Sequence, residues 1–124
     1  MIILDGGLGR LLESMGAPFR QPEWSALALM EGPDYVRAAH EEFINAGAQI
    51  ITTNSYAVVP YHIGEKQFFK NGANLIELSG QLARQAVNSA KVPVKVAGSI
   101  PPIFGSYQPE NFDPDLGKEM MQVF

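Results

Sequence analysis

The run Ala46-Gly47-Ala48-Gln49-Ile50-Ile51-Thr52-Thr53-Asn54-Ser55-Tyr56 constrains the fold more than any other stretch. Gly47 sits where a helix must stop, because glycine alone enters the left-handed conformation of a helix C-terminus without steric cost. Ile50, Ile51 and Thr52 are β-branched and consecutive, the pattern of a strand buried on both faces of a parallel sheet. Asn54, Ser55 and Tyr56 follow at once and can all hydrogen-bond. Ligands in parallel α/β folds gather at the C-terminal ends of the strands, so this polar tip is either a site or a solvated loop.

Two other stretches repeat the arrangement. Met1-Ile2-Ile3-Leu4 is a short apolar strand ending in Asp5-Gly6-Gly7, where glycines at positive φ would let a ligand approach free amides beside a carboxylate. A tight strand-to-helix turn explains the same residues. The spacing Gly6-Gly7-Leu8-Gly9 is not the dinucleotide fingerprint, which needs a third glycine and an acidic strand end about 20 residues on. Val92-Pro93-Val94-Lys95-Val96-Ala97-Gly98 is the third strand, with proline at its start and Ser99 at its polar tip. Among the strand residues, Ile3, Ile51 and Val96 are expected to face inward, away from the helices.

Helices are expected between the strands. Leu8, Leu11, Leu12 and Met15 have helical spacing with Gly16 as the stop. Pro18 and Pro22 make 17–23 irregular and deliver Trp24, which reads first as a core plug because of the area an indole buries. Ser25 opens a helix through Met30, and Pro33-Asp34 opens another with Val36, Ala39, Phe43 and Ala46 as its inward stripe. His40 flanks that stripe and has no partner at i+4, so a surface or boundary position is expected rather than metal ligation. Residues 57–72, with Pro60, Gly64 and Phe68-Phe69, suit an irregular excursion that could cover a site. Residues 73–90 form the clearest amphipathic helix, and 115–124 begin another after a loop rich in Pro, Gly and aromatics.

Strand and helix alternate with polar tips at the same strand ends, which is the grammar of a parallel α/β protein. An open doubly wound sheet and part of a (β/α)8 TIM-type barrel both fit. Three strands in 124 residues come close to the barrel pace of about 250 residues for eight units, which favours the barrel. The whole of 1–124 is then an N-terminal portion of a barrel, strands one to three and the start of the next helix.

Composition narrows the functions. The chain is 46% hydrophobic and 18% charged with net charge -4 and no basic run, which argues against nucleic acid as a partner. No apolar run reaches membrane-spanning length and no leader pattern appears, so a soluble, cytoplasmic protein with no membrane partner is expected. Cysteine is absent, which excludes thiolate ligands and disulfides within the chain.

Four motifs in order, Ile3-Leu4-Asp5-Gly6-Gly7-Leu8-Gly9, Pro22-Glu23-Trp24-Ser25-Ala26, Ala46-Gly47-Ala48 with Ile51-Thr52-Thr53-Asn54-Ser55-Tyr56, and Ala97-Gly98-Ser99-Ile100, resemble the N-terminal part of the homocysteine S-methyltransferase family. The resemblance spans nearly the whole chain. It implies a (β/α)8 barrel in which zinc, held by three cysteines, activates the homocysteine thiol for methylation to methionine. Donors across the family include S-methylmethionine, betaine and a methyl-cobalamin. By the same resemblance Asp5, Gly6 and Gly7 meet the amino-acid part of homocysteine. Trp24 and Tyr56 line the pocket where thiol and donor meet, and Thr52 and Asn54 are the polar end of the second strand. In a completed barrel, Asp5→Ala or Trp24→Ala is expected to weaken homocysteine or donor use while leaving folding largely intact.

The family's zinc ligands have no counterpart here. A thiol with a pKa of about 8.5 is mostly protonated at neutral pH, and zinc is what deprotonates it. The chain by itself is therefore expected to be inactive, and to associate either with itself or with the remaining part of a barrel. The alternative is a non-catalytic half-barrel serving as a binding or assembly module.

Overall fold

The computed structural model describes all residues, Met1–Phe124. Six helices and two short strands follow in the order α1 (Leu8–Ser14), α2 (Ser25–Glu31), α3 (Pro33–Asn45), β1 (Ile50–Thr52), α4 (Pro60–Ile63), α5 (Glu65–Ser89), β2 (Lys95–Ala97) and α6 (Pro114–Met120). β1 and β2 pair in parallel, with Ile51 opposite Val96. On the other side of β1 the first extended segment pairs through a single parallel bridge, Leu4 to Ile50. Its backbone hydrogen bonds are Gln49 N–H and Ile50 N–H to the Ile3 carbonyl, at 2.8 and 3.3 Å, and Asp5 N–H to the Ile50 carbonyl at 3.0 Å. The expected first strand is thus present as one bridge, and the expected third strand is confined to Lys95–Ala97.

Both glycine stops act where the sequence places them. At the end of α3, Gly47 has φ +102; its N–H donates to Ile44 and that of Ala48 to Phe43, both at 3.0 Å. This paired closure satisfies carbonyls that the helix end would otherwise leave open. Gly16 closes α1 the same way, at φ +75, with Ala17 N–H reaching back to the Leu12 carbonyl at 3.0 Å.

The core has two parts. Leu12, Leu29, Val36, Val58 and Leu82 belong to a cluster among the helices. Ile44, Ala48, Ile51, Ala83, Ala86 and Val94 form a second, in which β1 lies against α3 and α5. Ile51 is fully buried there, with its register partner Val96 packed beside it. The expectation that Ile51 and Val96 face inward is therefore overturned. Side chains alternate along a strand, and the apolar partners for this face are the helices, which leaves Ile50 and Thr52 on the opposite side. Ile3 is half-exposed and belongs to neither cluster.

Two further expectations fail for identifiable reasons. Residues 57–72 are mostly helical, because α4 occupies Pro60–Ile63 and α5 begins at Glu65. Gly64, at φ +82, turns the chain between the two helices. Phe68 is buried and lies against Gly72, where a Cβ would sit 3.0 Å from its ring, so this glycine permits close packing inside a helix it would otherwise weaken. His40, expected near the surface, is fully buried on the inner face of α3 with Val36, Ala39 and Ile44. Helical spacing alone does not tell a stripe's edge from its centre when the neighbouring layers are unknown.

Candidate functional site

A cavity of about 1040 Å³ opens at the C-terminal ends of the first segment, β1 and β2. All seven residues singled out from the sequence, Asp5, Gly6, Gly7, Trp24, Thr52, Asn54 and Tyr56, line it. The segments after the first extended segment, β1 and β2 converge there because parallel strands send their following loops to one side, and the segment after α1 joins them with Phe19 and Trp24.

Asp5 stands at the junction of the first segment and β1. Its Oδ2 accepts Thr52 N–H at 2.7 Å and its Oδ1 accepts the Thr52 hydroxyl at 3.0 Å. The carboxylate thus continues the ladder where the two backbones separate. Each of its oxygens keeps a further lone pair for a ligand's donor. The side chain therefore also has a structural role, joining the first segment to β1, which the expectation of a purely ligand-facing Asp5 did not include.

Gly6 and Gly7 do not use positive φ; Gly7 has φ -72. Gly6 gives room for a neighbour instead: a Cβ there would lie 3.1 Å from the Phe43 ring, tighter than ordinary contact. The N–H groups of Gly6 and Gly7 donate to no acceptor in the protein, so both remain able to bind a ligand's oxygen.

The tip of β1 is tied to neighbouring elements. Thr53 Oγ1 accepts Ser99 N–H at 3.0 Å, and the Ser55 hydroxyl donates to the Ser99 carbonyl at 2.9 Å, which locks the ends of β1 and β2 together. Asn54 is buried and donates from Nδ2 to the Ser25 carbonyl at 3.0 Å. Tyr56 is exposed, with its hydroxyl 2.9 Å from Ser106 Oγ.

Trp24 is no core plug: 39% of it remains exposed and it walls the cavity. Its ring meets Phe19 edge to face at 5.8 Å. Tyr61 and His62 of α4 and Tyr107 of the long loop after β2 complete the aromatic lining. The sequence reading missed these three as site residues. A signal was present in the density of aromatics within 57–72, read as an excursion that could cover a site without any residue of it being named, and within 103–114, read as a loop.

His40 is the titratable group most displaced from ordinary behaviour. Burial lowers its pKa below the usual 6.5, and the nearby negative charge of Asp5 counteracts this in part. Neither ring nitrogen has a hydrogen-bond partner. It does not line the cavity.

No group of three or more His, Cys, Asp or Glu residues is placed to hold a metal ion. With cysteine absent as well, the residues present do not fit a thiolate-bound metal. No helix is long and apolar enough to cross a membrane.

These features define a class: an α/β chain whose parallel strands end on a cavity with a polar and aromatic lining. The sequence pattern described as Homocysteine S-methyltransferase matches residues 2–124, and the chain belongs to that family. Homocysteine S-methyltransferase 3 of Zea mays is 40% identical over 86 residues, covering 68% of this chain and 25% of the relative. Homocysteine S-methyltransferase of Escherichia coli (strain K12) is 32% identical over 114 residues, covering 86% of this chain and 36% of the relative. The crystal structure of the homocysteine methyltransferase MmuM from Escherichia coli, in its metallated form, superposes with a TM-score of 0.65 at 32% identity, covering 82% of this chain and 38% of that one. The chain therefore spans between a quarter and two fifths of the proteins it matches. Its parallel strands and helices are those of the N-terminal part of that barrel-type enzyme.

Proposed function

We propose that this chain forms the homocysteine- and donor-binding wall of an S-methyltransferase that transfers a methyl group to the homocysteine thiol, giving methionine. The observation that carries the reading is the meeting of Asp5, Gly6 and Gly7 with Trp24, Tyr56 and Tyr61 around one cavity at the strand ends. The Asp5 carboxylate suits the ammonium of an amino acid, and the free Gly6 and Gly7 amides suit its carboxylate. The aromatic wall suits a cationic donor such as the sulfonium of S-methylmethionine, since ring quadrupoles attract cations.

Thiol activation belongs to zinc in this reading, and the zinc ligands lie outside these residues. This chain's contribution is to bind and orient. The 124-residue chain alone is expected to form no methionine from homocysteine and S-methylmethionine, yet to bind either ligand. Trp24 is the only tryptophan, so its emission reports occupancy directly. Zinc-dependent methionine formation by the purified chain would refute the division of labour. Unchanged Trp24 emission with both ligands at millimolar concentration, supported by a flat calorimetric titration, would refute the binding role.

A further inference from the structure

We infer that Asn54 and His62 are positioning residues that hold Trp24 in a backbone conformation a tryptophan does not otherwise keep, and so set the aromatic wall of the cavity. Trp24 has φ 49 and ψ -130 just before the first turn of α2. That combination belongs to glycine, because a Cβ crowds the neighbouring backbone there, and a bulky residue persists in it only under outside restraint.

The restraints act on both sides of Trp24. Downstream, Asn54 Nδ2 donates to the Ser25 carbonyl at 3.0 Å. Asn54 is 2% exposed and lies in the turn just after β1, between Thr53 and Ser55, whose side chains are tied to Ser99, so it is held from outside the loop it grips. Upstream, His62 Nδ1 lies 3.0 Å from the Pro22 carbonyl. A carbonyl only accepts, so Nδ1 carries the proton. Trp24 N–H itself donates to the Arg20 carbonyl at 2.7 Å, which closes the turn between the two grips. Asn54 and His62 come from the turn after β1 and from α4, 29 and 40 residues along the chain from the carbonyls they hold.

This deepens the proposed function and rests on it only in taking the cavity as the ligand site. The test needs no ligand. Asn54→Leu keeps the branched shape and heavy-atom count and removes the donor; His62→Phe keeps a ring on α4 and removes the other grip. Both are expected to shift Trp24 emission to longer wavelength and to lower its anisotropy, while far-ultraviolet dichroism and cooperative melting show a folded chain. Ile51→Val, in the separate cluster against α5, serves as a control that lowers stability without moving the Trp24 signal. If Asn54→Leu does not fold, His62→Phe decides. Trp24 emission and anisotropy equal to the parent's in the folded variants would overturn the inference, even where homocysteine still binds. Released Trp24 in the variants, together with no binding of homocysteine or S-methylmethionine by the parent chain, would uphold the inference and refute the proposed function.

Discussion

Replacing Asp5 by alanine removes both hydrogen bonds that join the first segment to Thr52, at 2.7 and 3.0 Å. The Thr52 N–H then loses its acceptor in a part-buried position. Hydrogen bonds to a charged group contribute about 1.5 to 3 kcal/mol each when well shielded, and the exposed neighbours on this edge place the pair at about 2 to 4 kcal/mol in total. Against a net stability of about 5 to 15 kcal/mol this is a large fraction. For a chain of this length it corresponds to a fall in melting temperature of roughly 10 °C. Asp5→Asn keeps the shape, can present its oxygen to Thr52 N–H, and can donate to the hydroxyl, so it is expected to lose about 1 kcal/mol. Paired thermal and urea melts of the two variants measure the difference. If Asp5→Ala melts within about 2 °C of the parent with an unchanged urea slope, the clasp contributes nothing and the reasoning fails.

Three other outcomes are expected. His40 is neutral when buried and has its pKa lowered by that burial; the unfolded chain binds a proton near pH 6.5 that the folded one refuses, so stability should fall as pH drops below about 6.5, by at most about 1.4 kcal/mol per unit. His40→Leu should abolish that slope, and an identical pH profile in its denaturant melts would contradict the assignment. Ile51→Ala, at a fully buried position between β1 and the helices, should cost about 2 to 5 kcal/mol; a loss under about 1 kcal/mol by urea melt would put Ile51 on the open face after all. Ile2, Ile3 and Leu4 are 68%, 51% and 62% exposed beside an incompletely paired strand, so the chain should self-associate and Leu4→Lys should shift it toward monomer. Light scattering that finds only monomer at every concentration would dismiss this.

Local chemistry makes much of this protein readable from its residues. Gly16 and Gly47 end helices because their positive φ angles carry a steric cost for residues with a Cβ, a property decided within one turn. The run Ile50-Ile51-Thr52 is a strand in the structure as its β-branching requires. The polar residues after each strand meet at one cavity because parallel strands deliver their tips to one side. What the residues at each position do there depends on partners far along the chain. Asp5 joins Thr52 across 47 positions, and Asn54 grips the Ser25 carbonyl across 29. The burial of His40, the side of the sheet that Ile51 and Val96 face, and the strain in Trp24 belong to the same kind. Helical or strand periodicity states that a face is apolar, and only the packing of layers states which neighbour covers it. A side chain's hydrogen-bonding capacity is fixed by its type, whereas its acceptor is fixed by where the fold brings the backbone, and that is a property of the tertiary structure alone.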